Sequence, residues 1–336
     1  MTRVFVYEYI SGGGIESHVM PELLAQGKLM RDAMIGDLAR IGDVSVSCAV
    51  SASEWPGERR EDSYGAQNVA YCRRRAGETP LAFVRRQAAR HDVSWVVAPE
   101  SGGILLSLRR AVGGAGWLGS SATAIMLAGS KAATARHLGG QGLAATRPWR
   151  DGDAPDPACG RWVVKPDDGA GAVATRSYTR FEAAHAAWRQ RLVAGETVVL
   201  EPWIEGVPLS VSMLCGPGGA EVLSINRQCI RIDGDGVVHY DGVQTNIMDP
   251  AGPQGRPLAR LAEAVAGMVP GLAGFVGIDL VLHPRQGPVV IEINPRLTCA
   301  YRGLSASLGR NLALEMLASH QVRAEMRETN GASNGG

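Results

Sequence analysis

The sequence predicts an α/β protein that turns α+β in its C-terminal half. Strand and helix signals alternate through the first third, which argues for a parallel sheet covered on both faces. The last part is rich in strands instead. The chain also sets 43 glycines against 5% aromatics, a balance that implies many tight turns and close backbone approaches. With 336 residues it can bury a large core and suggests two or three subdomains.

Taken in order, residues 4–7 form a short strand ending in Ser11-Gly12-Gly13-Gly14, followed by an amphipathic stretch over 18–41. Residues 44–50 are the next strand, 81–90 a helix with a basic outer face, 94–98 a strand, 104–112 a helix and 116–118 an extended piece. The strand ends place the loops at 8–14 and 99–103 on one common edge, where open α/β sheets bind ligands. Residues 122–127 and 131–138 are helical, and 149–160 is a loop of alternating acids and prolines. A strand over 161–165 stops at Pro166, and a helix follows over 181–193. Strands at 197–204, 209–214, 221–226 and 237–242 come next, with a hairpin turn at 232–236. A helix over 257–268, strands over 275–282 and 289–293 and a closing helix over 303–318 complete the fold, and 328–336 reads as a disordered tail.

Composition excludes several function classes. Lys+Arg 34 against Asp+Glu 33 leaves a net charge of +1, with no electrostatic footprint for nucleic acid or a membrane surface. Apolar runs are strand-sized, so no transmembrane helix or signal peptide is expected, and the expected compartment is the cytoplasm. Six scattered cysteines and seven scattered histidines lack the spacing of a zinc site or disulfide framework.

Four segments carry chemistry. In Val290-Ile291-Glu292-Ile293-Asn294-Pro295-Arg296, alternation puts Glu292 and Asn294 on one face and Ile291 and Ile293 in the core. Asp279, on the partner strand, can face the same way, which would make a hard-oxygen site suited to Mg²⁺. Pairing of these acids with Arg296 or Arg227 in a structural network would equally answer their burial. In the second segment Lys165 ends a strand before Pro166-Asp167-Asp168-Gly169-Ala170-Gly171-Ala172, where glycines let backbone N–H groups approach a polyphosphate, or simply make a turn. Third, Ser130-Lys131 opens a helix, and a lysine there calls for a nearby anion unless it is merely solvated. Fourth, Glu201-Pro202-Trp203-Ile204-Glu205-Gly206 can offer backbone groups to a purine edge.

In this order the four segments resemble the ATP-grasp superfamily over about residues 120–318, most sharply at Glu292-Ile293-Asn294-Pro295-Arg296. The resemblance implies an ATP-grasp fold behind a Rossmann-like pre-ATP-grasp domain: 1–119 the substrate-side domain, 120–200 a small lobe with the phosphate loop, 201–322 a large lobe with the metal site, and 323–336 a tail. It implies ATP and Mg²⁺ (or Mn²⁺) as cofactors. Lys131 and Lys165 would contact phosphates, under a loop containing Asp168, Gly169 and Gly171. Glu201, Trp203, Ile204 and Glu205 would hold the nucleoside. Asp279, Glu292 and Asn294 would bind the metal, and Arg296 and Arg227 the phosphate and acyl phosphate. One departure is Pro208, which stands where the family often has an acid for the ribose; Glu205 is the candidate substitute.

The opening Val4-Phe5-Val6-Tyr7-Glu8-Tyr9-Ile10-Ser11-Gly12-Gly13-Gly14 is similar to that of tyramine–glutamate ligases of methanofuran-type cofactor biosynthesis and their relatives in one-carbon metabolism. This implies ADP-forming amide synthesis from a small carboxylate and an amine, with Glu8, Ser11, Gly12 and Gly13 on the substrate. Tyr9, Tyr240 and Tyr301 are candidates for an aromatic-amine pocket or for packing. Another ATP-grasp ligase, or a non-catalytic nucleotide-binding protein, is the alternative. Related enzymes are often dimers, so a homodimer is one expectation.

Overall fold

A computed structural model describes residues 1–15, 21–55, 68–156, 159–169 and 171–333, with side chains to residue 326. Among them, three sheets organise the chain. The first is parallel, in the order β3-β2-β1-β4, with β1 Thr2–Glu8, β2 Val44–Ala49, β3 Val69–Cys72 and β4 Val93–Val97. Its central strand is apolar on both faces, since α1 (Pro21–Leu38) covers one side and α2 (Pro80–Ala88) with α3 (Ile104–Val112) the other. Helices α4 (Ala122–Ala128) and α5 (Lys131–Gly140) follow; Ser121 and Ser130 cap them by accepting the N–H of Ala124 and Ala133.

The second sheet is antiparallel, in the order β6-β5-β7: β5 Trp162–Pro166, β6 Arg176–Tyr178 and β7 Val198–Pro202. Helix α6 (Phe181–Val193) packs on it through Trp188 and Phe181, which meet Trp149 and Trp162 edge-on. The third sheet, order β10-β9-β8-β11-β12, comprises β8 Val207–Gly216, β9 Gly219–Ile232, β10 Val238–Met248, β11 Gly274–His283 and β12 Gly287–Asn294. Helix α7 (Arg256–Met268) covers it, and its apolar stripe of Leu258, Ala262 and Val265 joins the core of the sheet.

The predicted division into a parallel α/β part and an antiparallel α+β part is observed. Several elements differ from expectation. β9 runs on through Arg227 to Ile232, and the closing helix is two: α8 (Leu304–Leu308) ends at left-handed Gly309, and α9 runs Leu312–Ser333. Residues 323–333, expected to be a disordered tail, belong to α9; Ala, Glu, Met and Arg favour continuation there. The first residues of the predicted 18–41 helix lie outside the described residues, as do Ala170 and 334–336.

The parallel sheet is joined firmly to the elements after β12. Asp37 of α1 accepts hydrogen bonds from Tyr301 Oη and Ser305 Oγ at 2.5 Å each, and its backbone carbonyl accepts one from Asn311. Trp95, Phe275 and Tyr301 pack edge-on beside this knot.

Candidate active site

The three sheets converge on a cavity of about 900 Å³. Two lysines enter it with carboxylate partners. Lys131, the first residue of α5, lies 2.9 Å from Glu292 and donates to the Gly169 carbonyl at 2.5 Å. Burial opposes its charge, but Glu292 outweighs burial and raises its pKa. Lys165 lies 2.8 Å from Glu201, which is fully buried and also accepts from Thr146. Strand alternation explains the second pair: Val163 faces Glu201 and Lys165 faces Val199, so Lys165 and Glu201 are diagonal neighbours on one face.

Asp279 and Glu292 are directly opposite on β11 and β12, and Asn294 donates its amide to Asp279 at 3.2 Å. The enclosed setting, then the Glu292 charge, push the Asp279 carboxyl above its usual range. Glu292 moves the other way, because the Lys131 ammonium overcomes the effect of burial. A divalent cation suits this donor set: two crowded carboxylates beside an amide, oxygen-rich, with more negative charge than one lysine neutralises. Among the described residues no group of three or more His, Cys, Asp or Glu side chains stands close enough to hold a metal, so the amide and a ligand's oxygens would complete any shell.

Ile291 does not point into the core as strand alternation predicts. The register steps from Asp279–Glu292 to Leu280–Val290, leaving Ile291 as an extra residue in a bulge that turns it into the cavity wall. Arg227 is likewise displaced from its expected role. Its register on β9 leaves it exposed and off the cavity wall, whereas Gln228 lines the cavity and hydrogen-bonds Asp279.

Arg296 lines the cavity and makes a two-point ion pair with Glu100, Nε and Nη2 donating at 2.9 Å each. The two residues after Glu100 hold the loop that follows β5: Ser101 Oγ donates to the Asp168 carbonyl and Gly102 N–H to Asp168 Oδ2 at 2.8 Å. Asp167 caps α5, accepting from Ala132 N–H and Ser130 Oγ. Gly169 and Gly171 line the cavity, Gly171 with φ 65°.

Trp203, Ile204, Glu205 and Pro208 form the wall at the β7–β8 connection. Gly206 passes against the Leu282 carbonyl too closely for any Cβ. Across the cavity lie Glu8 at the end of β1, Tyr9 and Ile10 just after it, Leu23 and Met30 of α1, and Ile104 of α3. Glu8 is 2% exposed and accepts N–H bonds from Ile10 and Ser11. Burial raises its pKa, those bonds lowering it in part. Gly27, inside α1, leaves room for the Glu8 carboxylate.

Ser11, Gly12 and Gly13 do not line this cavity. Ser11 is fully buried, and Gly12 and Gly13 border a separate cavity of about 640 Å³ beside Arg73, Arg74 and Arg75. Gly12 is required by packing, because a Cβ would stand 2.7 Å from the Tyr7 ring and from the Glu8 carbonyl. Tyr9 and Tyr240 line the main cavity, whereas Tyr301 is buried against Asp37. Sequence reasoning missed Glu100 and Gln228.

Residues 128–300 match the ATP-grasp domain family and residues 50–125 the pre ATP-grasp 3 domain family. No curated protein matches the chain. Among solved structures, an ATP-grasp superfamily protein of Archaeoglobus fulgidus is similar with TM-score 0.68 and 20% identity, over 95% of this chain and 89% of that one. The D-alanine–D-alanine ligase of Bacillus anthracis gives TM-score 0.64 at 14% identity, over 97% and 100%. The L-amino acid ligase of Bacillus licheniformis gives 0.62 at 17%, over 94% and 72%. These likenesses establish the shared fold. No helix among the described residues is long and apolar enough to cross a membrane.

Proposed function

The chain belongs to the ATP-grasp family, and from that premise we propose that it is an ATP-dependent ligase joining a carboxylic acid to an amine. The observation that carries the reading is the convergence of Lys131, Lys165, Arg296, Asp279 and Glu292 on one cavity large enough for a nucleotide and a second substrate. No Ser or Cys nucleophile is needed. A carboxylate oxygen attacks the γ-phosphorus, the bond to the ADP oxygen breaks, and an acyl phosphate forms. The amine nitrogen then attacks the acyl carbon, phosphate leaves, and the nitrogen loses a proton to give the amide.

Such chemistry rests on positioning and charge neutralisation. In this reading Lys131 and Lys165 exchange their carboxylate partners for phosphate oxygens. Glu201–Ile204 would offer backbone groups to adenine, and Glu205, which lines the same cavity as Pro208, would serve the ribose. Arg296 stabilises the transferred phosphoryl or acyl-phosphate oxygens. A divalent cation held by Asp279, Glu292 and Asn294 would supply further neutralisation of phosphate charge. The loop at 167–172 excludes water from the acyl phosphate.

For the finer reading, glutamate joined to tyramine or tyrosine in one-carbon cofactor biosynthesis, support comes from the wall opposite the phosphate site. There one carboxylate, Glu8, stands among Tyr9, Ile10, Leu23, Met30 and Ile104. That surface suits an ammonium on an apolar body, as in tyramine or tyrosine. The test is ADP release with ATP and Mg²⁺ against a matrix of acids and amines. Release requiring both an acid and an amine supports the ligase; ATP binding with no productive pair favours a non-catalytic nucleotide-binding protein.

A further inference from the structure

The short turn at residues 99–103 reaches both halves of the site at once. Glu100 in this turn is buried, 9% exposed, and accepts from Nε and Nη2 of Arg296. A guanidinium has five N–H donors. Two go to Glu100 and one, from Nη1, to the Leu297 carbonyl at 3.2 Å, so among the described residues two remain, with their directions fixed by the fork. The same turn sends Ser101 Oγ and Gly102 N–H to Asp168 of the phosphate loop. Consecutive left-handed glycines, Gly102 at φ 61° and Gly103 at φ 66°, let three adjacent residues present groups to partners on different sheets. The Gly103 N–H to Glu100 carbonyl bond at 2.9 Å closes the turn.

We infer that Glu100 is a positioning residue for Arg296, and that the 99–103 turn couples the order of the Asp168 loop to the setting of that arginine. The ion pair leaves Arg296 neutralised overall yet aimed, so its free N–H groups meet developing oxygen charge without a search over rotamers. Because Glu100, Ser101 and Gly102 are consecutive, loss of the Arg296 anchor frees the turn and with it the clasp on Asp168. Coupling of this kind is reciprocal, so a loop held shut also holds Glu100 against Arg296. The turnover half of this inference rests on the ligase reading; the coupling half does not.

The experiment compares full-length wild type with Glu100→Gln by hydrogen exchange without nucleotide, then by ADP release with the acid–amine pair that wild type uses. The expected result is exchange at least fivefold faster in the peptides spanning 99–105 and 165–172, with the β1–β2 region unchanged as the sign of an intact fold. In turnover, kcat falls at least tenfold while KM for ATP stays within threefold. Unchanged exchange in the 165–172 peptide overturns the coupling, and unchanged kcat, or a loss of ATP affinity in step with kcat, overturns the positioning role. Should Glu100→Gln fail to fold with Arg296 left unpaired, the Glu100→Gln/Arg296→Gln pair removes both charges, and the same exchange readout decides. Absence of ADP release by wild type with every pair defeats the ligase reading alone, and the exchange arm still decides the coupling.

Discussion

Lys131→Met separates the charge balance of the site from its shape. The Lys131 ammonium and Glu292 carboxylate are 2.9 Å apart, with 9% and 19% of their side chains exposed. At an effective dielectric near 20 their attraction is about 6 kcal/mol before desolvation is subtracted. Removing one member of a buried pair costs about 3–5 kcal/mol, because the survivor keeps its desolvation penalty. Partial exposure of Glu292 argues for the lower end, about 3 kcal/mol. With an unfolding entropy of about 2.1 cal/mol/K per residue, this corresponds to a fall in Tm of roughly 4 °C. Thermal unfolding followed by tryptophan fluorescence without nucleotide measures it. Adding Glu292→Gln to the lysine variant relieves the carboxylate crowding beside Asp279, so the double variant is expected to regain most of the loss. Millimolar Mg²⁺ is expected to stabilise Lys131→Met more than wild type. A single variant within about 1 °C of wild type, or a double variant no more stable than the single, refutes the account.

Arg296→Ala is expected to abolish ADP release while calorimetric ATP affinity stays within a few-fold; equal loss of both contradicts a role in the chemical step. Asp279→Asn removes half of the carboxylate pair, so binding of Mn²⁺ detected by paramagnetic relaxation should weaken at least tenfold; unaltered binding moves the metal elsewhere. Gly12→Ala drives a methyl into the Tyr7 ring and should cost about 1–3 kcal/mol in urea unfolding, and a neutral effect would mean the β1 turn can shift. Asp92 has its carboxyl held down to about 2 by hydrogen bonds from Arg3. The folded value lies below the unfolded one, so the stabilisation is present above the unfolded value of 3.8 and disappears as pH falls towards 2. Both side chains are about half exposed, which limits the effect to below about 1 kcal/mol. Urea midpoints of wild type and Arg3→Ala should therefore differ slightly near neutrality and converge in acid; a constant gap rules this out.

Legibility in the sequence followed how local each signal was. Helix α6 was read residue for residue, since its period and its ends sit within one window. The strands β3 and β6, of four and three residues, were missed because so few residues carry no alternation. Asp279, Glu292 and Asn294 were proposed together because they sit on two adjacent strands, and the structure brings those three side chains side by side. Ile291 escaped because one inserted residue reverses the facing of its neighbours, and nothing local announces a bulge. Arg227 was misplaced by a single position, the distance between one sheet face and the other. Glu100 lies 196 residues from Arg296, a pairing visible only once the chain has folded back.

The knot at Asp37 bears on how the chain comes into being. Val4, Val6 and Trp95 of the parallel sheet and Met34 of α1 share one core with Phe275, Tyr301, Leu312 and Met316. During synthesis the first hundred residues leave the ribosome long before those partners exist. The nascent sheet then has α1 on the face that forms this core but lacks the later residues that complete it, which leaves part of its apolar surface open to chaperones or to other unfinished chains. A fragment ending near residue 119 is then a sticky half-product rather than an independent module, and useful truncations of this protein would have to keep both ends of the chain.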